Sequence, residues 1–216
     1  MEPALTHDAQ LKKLLVALRY RLLGAAQVDS AWYKAIDALE FAICKHEGMT
    51  RKRGGAYIIH PVEATLYVLT LPGLLHRVET VAVTLMHDVM EDCGVTYQEF
   101  VDLFGTQVAD GVERMSKVVD GVRKDDSDYY AALAKCPMGS IGKPADRINN
   151  QDSMVDAFTP EKQLRYVAEA EESILPLIKT ARRRFPQQEL AYENAKLVLS
   201  TQIRLVRASL AAPKLA

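Results

Sequence analysis

The segment from Val81 to Asp92 reads Val-Ala-Val-Thr-Leu-Met-His-Asp-Val-Met-Glu-Asp, an apolar helical run that ends in four side chains able to bind a metal or move a proton. His87 and Asp88 are adjacent, and Glu91 and Asp92 follow one turn later, so a continuous helix stacks His87 over Glu91 and Asp88 over Asp92. Carboxylates are rarely buried unless something pairs them, so four ionisable groups closing an apolar helix point to chemistry rather than packing. The expected chemistry is metal-dependent hydrolysis.

Two distant segments supply matching donors. His60 precedes Pro61 at the expected start of a helix, and Asp146 shares a helix face with Asn150 four residues later. Singly these are weak signals, because a histidine before proline is more often a cap or a packed residue and Asp146 beside Arg147 can be half of a surface ion pair. Together His60, His87, Asp88 and Asp146 offer two imidazoles and two carboxylates, a set that suits Mn²⁺, Fe²⁺ or Zn²⁺ and lacks the thiolates of a structural zinc site. Such a site leaves coordination positions for water and a phosphate oxygen. Glu91 and Asp92 then fall where a carboxylate can orient that water or take its proton. Arg51, Lys52 and Arg53, followed by Gly54-Gly55, form a basic loop that can neutralise phosphates, and Arg51 can also stack on a base. Asn150 is a polar contact for substrate. His7, His46 and His76 lack supporting neighbours and read as structural or surface residues.

The elements that must position these groups are helical. Leu11, Leu14, Leu15, Leu18 and Leu22 define a first helix with Gly24 as its stop, and Trp32, Ile36, Leu39 and Ile43 a second, capped by Asp29 or Ser30. A third runs from Val62 to about Leu71. After the His-Asp helix, Thr96-Tyr-Gln-Glu99 is a capping box, and Val108, Val112, Met115 and Val119 mark a further helix. Asp120 to Ser127 reads as turn, and the Tyr129-Tyr130 stretch as a weaker helix. Pro144 suits a helix start or kinks a helix under way. Thr159-Pro160 opens a long helix with Leu164, Val167, Ile174, Leu175 and Ile178 inward and a bend at Pro176, and Tyr192 to Leu210 forms the last, before a polar tail after Ala212. No period-two strand, repeat or linker stands out. The expectation is one all-α domain over residues 1–216, with roughly nine or ten helices, core motifs in 31–154 and C-terminal helices in 160–211.

Composition narrows the class. The 27 basic and 28 acidic residues nearly cancel, which argues against a nucleic-acid or membrane-surface partner. Cys44, Cys93 and Cys136 form no C-x-x-C pair, and no leader or run of ~18 apolar residues is visible, so a cytoplasmic, reducing setting is expected. The expected partner is a small-molecule nucleotide, and a homo-oligomer is compatible with the chain.

These motifs resemble the HD-domain phosphohydrolases, and within them the hydrolase domain of the Rel/SpoT alarmone enzymes and the stand-alone small alarmone hydrolases. The resemblance covers about Ala31 to Met154. It rests on Arg51-Lys-Arg-Gly54 with Tyr57-Ile-Ile-His-Pro61, on His87-Asp-Val-Met-Glu-Asp92 with Val95-Thr96 and Leu103-Phe-Gly105, and on Lys143 to Asn150. It implies an all-α hydrolase that uses Mn²⁺ to remove pyrophosphate from the 3′ position of a guanosine alarmone such as ppGpp. It further implies metal ligation by His60, His87, Asp88 and Asp146, catalysis by Glu91 and Asp92, and substrate contacts from Arg51, Lys52 and Asn150. Hydrolysis without synthesis is the expected activity of a chain this long. Pro144 stands where the family usually has leucine, and Gln151-Asp152 replaces a common Met-Arg. An adenosine alarmone such as ppApp, the 2′-phosphate of NADPH, or a simple nucleotide is therefore an alternative substrate, and a silent nucleotide-sensing module is the alternative of another class.

Overall fold

The computed structural model describes residues 6–52, 54–155 and 157–211. Arg53 of the basic loop and the expected tail beyond Ala212 lie outside the described residues. The fold is the expected all-α bundle. Helix α1 (His7–Val28) leads through a 3₁₀ turn, Ser30–Trp32, into α2 (Tyr33–Lys45), with the Asp29 carboxylate accepting from the Ala31 amide at 2.9 Å. Gly24 does not stop α1: an isolated helical glycine costs only about 1 kcal/mol, and burial of Leu18, Leu22 and Ala26 on either side offsets it.

Helix α3 (Ile59–Val68) begins at the His60-Pro61 pair as expected, and Leu69 to Leu71 close it in turns. The expected continuous His-Asp helix is broken. It forms α4 (Arg77–Leu85) and a short α5 (Val89–Cys93), with Met86, His87 and Asp88 in the turn between. The physical reason is local. The Thr84 carbonyl, which in an unbroken helix would serve the Asp88 amide, accepts instead from Nδ1 of His87 at 2.8 Å. Residues 97 to 115 form α6 (Tyr97–Phe104), opened by the Thr96–Glu99 capping box, and α7 (Thr106–Met115).

Val119 is not on α7 as expected. It belongs to a small antiparallel hairpin, β1 (Val118–Val119) with β2 (Val122–Arg123), in the register Val118 to Arg123 and Val119 to Val122. Asp120 and Gly121 both have positive φ, 50° and 76°, as a two-residue primed turn requires. Helix α8 (Asp126–Leu133) follows, capped by Asp125.

Helix α9 (Gly139–Met154) runs through the centre, packed by α3, α4, α7 and α12, and is buried along most of its length. It starts five residues before Pro144, so the proline sits inside the helix, where burial prevails over a glycine- and proline-containing stretch of poor propensity. Helix α10 (Pro160–Glu169) passes through a π-helical segment, Ala170–Ile174, into α11 (Leu175–Arg184). The expected bend at Pro176 takes this form, because proline offers no N–H and clashes with the carbonyl four residues back, and the wider π turn makes room. Leu164, expected inward, is 44% exposed, whereas Val167, Ile174 and Ile178 are buried. Helix α12 (Glu189–Ala211) buries Tyr192, Ala195, Leu199, Ile203 and Val206 as its spacing predicts.

Candidate metal centre and active-site cavity

His60, in the first turn of α3, is 2% exposed, and its Nδ1 lies 2.5 Å from Oδ1 of Asn149 on α9. An amide oxygen only accepts, so Nδ1 carries the proton and Nε2 presents a lone pair. That lone pair faces Oδ1 of Asp146 at 3.1 Å and Oδ2 of Asp88 at 3.7 Å. Asn149 is itself held, donating through Nδ2 to Glu63 at 2.9 Å, and Glu63 also accepts from Gln10 at 3.3 Å.

His87 is fixed in the same way. Its Nδ1 donates to the Thr84 carbonyl, and its Nε2 stands 3.1 Å from Asp88 Oδ2 and 3.6 Å from Asp146 Oδ1. This Nε2 is buried and makes no hydrogen bond. The two imidazole rings are edge-to-face with centroids 5.1 Å apart. Tyr57 donates to Asp88 Oδ2 at 2.7 Å, Lys143 to Asp146 Oδ2 at 2.7 Å, and Asn150 to Asp146 Oδ1 at 2.5 Å.

Electrostatics mark this point as one that calls for positive charge. Burial by itself would raise both aspartates, yet His87 holds Asp88 below the usual carboxylate range, and Lys143 and the imidazoles do the same for Asp146. Burial works against a charged His87, but Asp88 and Asp146 raise its pKa to about 10. A buried, unpartnered imidazole nitrogen converging with a second imidazole and two ionised carboxylates is what a divalent cation with mixed nitrogen and oxygen ligands requires, so the residues fit the expected group.

Glu91 lies on the wall of a cavity of about 840 Å³ above these donors, its carboxylate accepting from the Lys117 amide at 2.9 Å. Asp88 stands at the N-cap position of α5 without a capping bond from its carboxylate, and the Asp92 amide donates to the Asp88 carbonyl at 2.8 Å. The Asp92 carboxyl is pushed up by burial and then by Asp88. It is not among the residues that line the cavity. Arg51 reaches across to α9, donating to Asn150 at 3.2 Å and to Ser153 at 2.9 Å, with its guanidinium over the Tyr57 ring. Arg51 is therefore held through its side chain as well as through the backbone, where the Gly54 N–H donates to the Arg51 carbonyl and the Arg51 N–H to the Gly55 carbonyl. Lys52 stands over the Phe158 ring, 5.2 Å from its centroid.

Sequence reasoning missed several groups. Lys143 was visible in principle, three residues before Asp146 on one helix, and Asn149 beside Asn150. Tyr57 sits inside the motif that ends in His60 but carries no spacing signal of its own. Lys117, which pairs with Glu169 at 3.2 Å and lines the cavity, joins the site only through the tertiary fold.

An all-α bundle that converges a His-Asp pair with a second histidine and a distant aspartate is an HD-type fold. No family model matches the chain. Among individual proteins it is 34% identical over 145 residues to the guanosine-3′,5′-bis(diphosphate) 3′-pyrophosphohydrolase of Aquifex aeolicus, a match covering 65% of this chain and 20% of the relative. It is 36% identical over 140 residues to the bifunctional (p)ppGpp synthase/hydrolase SpoT of Escherichia coli, covering 61% of this chain and 19% of the relative. The chain thus spans about a fifth of the length of these curated relatives. A solved structure described as a metazoan ortholog of SpoT that hydrolyses ppGpp superposes with a TM-score of 0.63 at 20% identity, covering 80% of this chain and 94% of that one. The resemblance to a Rel/SpoT-type hydrolase domain therefore holds in sequence and in fold. No helix among the described residues is long and apolar enough to cross a membrane.

Proposed function

We propose that the chain removes the 3′-pyrophosphate of an alarmone nucleotide of the ppGpp type, releasing pyrophosphate, with a divalent cation held by His60, His87, Asp88 and Asp146. The observation that carries this reading is the buried Nε2 of His87, which faces Asp88 and Asp146, two carboxylates that line a nucleotide-sized cavity together with the second imidazole, His60. Manganese is the first choice of metal, because hard carboxylate oxygens and borderline imidazoles suit it without thiolates, and iron or zinc comes next. When bound, the cation supplies Lewis acidity, making water a stronger acid and drawing charge from a phosphate oxygen.

The protein's own groups do the rest. Glu91, on the cavity wall, orients the attacking water and takes its proton, and Asp92 behind it is the second carboxylate of the pair. The water oxygen bonds to phosphorus, the P–O3′ bond breaks, and the 3′ oxygen takes up a proton from solvent. Lys117 and Lys143 neutralise phosphate charge. Arg51, pinned by Asn150 and Ser153, presents a flat cation for the base, Lys52 stands beside it, and Asn150 links that contact to Asp146. The cytoplasm is the setting this reading expects.

The test is incubation of Mn²⁺-loaded protein with ppGpp, ppApp and NADPH, with pyrophosphate and orthophosphate measured separately. Pyrophosphate from ppGpp or ppApp, lost in Asp88→Ala while the domain stays helical, is the expected result. Orthophosphate from NADPH alone would transfer the reading to the 2′-phosphate, and no turnover of any of the three would defeat it.

A further inference from the structure

Against the Tyr57 ring, three side chains converge that the proposed hydrolysis does not use. His46, just past the end of α2, is 2% exposed, and its Nδ1 lies 3.5 Å from Sδ of Met49 and 3.6 Å from Sγ of Cys93 on α5. The two sulfurs are 4.0 Å apart. Met49 and Cys93 are half-buried, so the triangle opens to solvent on its sulfur side while its nitrogen corner is closed. The other ring nitrogen, Nε2, is buried without a hydrogen-bond partner, so nothing commits the imidazole to one tautomer.

Neither sulfur is a good hydrogen-bond acceptor, so the grouping is poor as a polar network. As a donor set its dimensions fit. An ion about 2.3 Å from each sulfur and about 2.0 Å from the imidazole nitrogen, with its three ligands in one plane, spaces those ligands about 3.7 to 4.0 Å apart. The triangle already has sides of 3.5, 3.6 and 4.0 Å. Thiolate and thioether sulfur select soft ions, copper(I) first, over the manganese that suits the proposed hard site of His60, His87, Asp88 and Asp146.

We propose that Cys93, His46 and Met49 form a second metal site, three-coordinate and selective for a soft monovalent cation such as copper(I). Copper enters as copper(I), with no change of oxidation state. The Cys93 S–H, which donates to the Lys45 carbonyl at 3.3 Å, loses its proton to solvent, and a copper–thiolate bond replaces it. Burial keeps the His46 imidazole neutral, its pKa lowered to about 4, so a lone pair is present across the physiological range. His46 packs against Tyr57 with ring centroids 4.8 Å apart, and Tyr57 bonds Asp88, so a single side chain, Tyr57, links this site to the proposed hard-metal site.

The experiment uses the full chain carrying Cys44→Ser, which removes the exposed thiol, and preloaded with Mn²⁺ to occupy the hard site. Copper(I) is titrated anaerobically against a chromophoric copper(I) chelator. The parent is expected to take one equivalent with a thiolate-to-copper absorption band, and Cys93→Ser none at the same chelator concentration. Met49→Leu conserves volume and keeps the fold, and it should bind about tenfold more weakly or worse. Equal copper uptake by the Cys93→Ser protein, or unchanged affinity in Met49→Leu, would overturn the site. So would displacement of the copper by excess Mn²⁺.

Discussion

Replacing Asn149 with leucine tests how the proposed metal centre is held. In the native protein the Asn149 oxygen keeps the proton of His60 on Nδ1, which leaves the Nε2 lone pair facing Asp146 and Asp88. Without that acceptor, His60 has a better alternative. Its proton moves to Nε2 and bonds to Asp146 Oδ1, 3.1 Å away, so the nitrogen a cation needs becomes occupied. The native tautomer in the variant would leave a buried Nδ1–H unsatisfied, at a cost of about 1–3 kcal/mol. A cation must reverse that shift, so its affinity falls by about 10- to 100-fold, or about 1.4 to 2.7 kcal/mol, the usual range for a lost partner behind a ligand. The folded state without metal loses less, because the tautomer switch re-satisfies His60, leucine fills the space, and Glu63 keeps its bond from Gln10. The assay is Mn²⁺ titration followed by the electron paramagnetic resonance signal of the free ion, with a melting curve on the metal-free protein as control. An Asn149→Leu protein that binds Mn²⁺ as tightly as the parent would refute the argument. So would one whose melting temperature collapses while the affinity of its folded fraction is unchanged.

The other predictions concern pH and packing. Asp88 and Asp146 favour the protonated form of His87, with which a metal competes, so apparent Mn²⁺ affinity rises with pH, by about tenfold per unit for each proton released. Competition titrations at two buffer pH values on either side of neutrality check this, and a flat profile would count against it. The same group has a sign for the metal-free protein. A pKa raised from 6.5 to about 10 contributes stability that is complete below 6.5 and is lost as pH climbs toward 10, which denaturant midpoints across that window will show. Two glycines should respond oppositely to alanine. A Cβ at Gly24 inside α1 meets nothing within 4 Å, so Gly24→Ala raises stability by about 0.5–1 kcal/mol. At Gly73, with φ of +67°, the new carbon would lie 2.7 Å from the Gln187 carbonyl oxygen, and Gly73→Ala lowers stability by about 1–3 kcal/mol. Melting temperatures of the two variants should therefore move in opposite directions, at about 2–4 °C per kcal/mol.

What the sequence revealed follows the physics of each signal. Apolar periodicity located the bundle: α12 buries the residues its spacing picks out, whereas on α2 Leu39 is buried, Ile36 and Ile43 are only half-buried, and Ala35, Ala38 and Ala42 fill the core face. Capping chemistry placed the start of α6 at Thr96, and Asp29 and Thr159 opened their elements as expected. Single breakers were less informative: Gly24 and Pro144 lie inside helices whose burial outweighs them. The hairpin after α7 escaped because strands of two residues cannot show alternation, although Val-Asp-Gly-Val carries its turn signal. At the site, residue types singled out the side chains, but not the partners that orient them. Asn149 behind His60 and Lys117 beside Glu91 are separated by 89 and 26 residues from the groups they hold, and only the tertiary fold brings them together.

The break between α4 and α5 shows why even a strong local motif needed the structure. Successive residues on an α-helix project about 100° apart, so in an unbroken helix His87 and Asp88 cannot both aim at one point. Opening the helix at Met86 to Asp88 lets Nε2 of His87 and Oδ2 of Asp88 approach to 3.1 Å, and both then face His60 and Asp146. The cost is a lost helical bond at Thr84, and the His87 imidazole recovers it by donating to the same carbonyl. One side chain thus terminates the helix, fixes its own tautomer and frees its other nitrogen for a cation. Sequence spacing treats the His-Asp pair as two neighbouring ligands on a continuous helix. In the folded chain the histidine is also the reason that the helix ends there and the aspartate can turn inward.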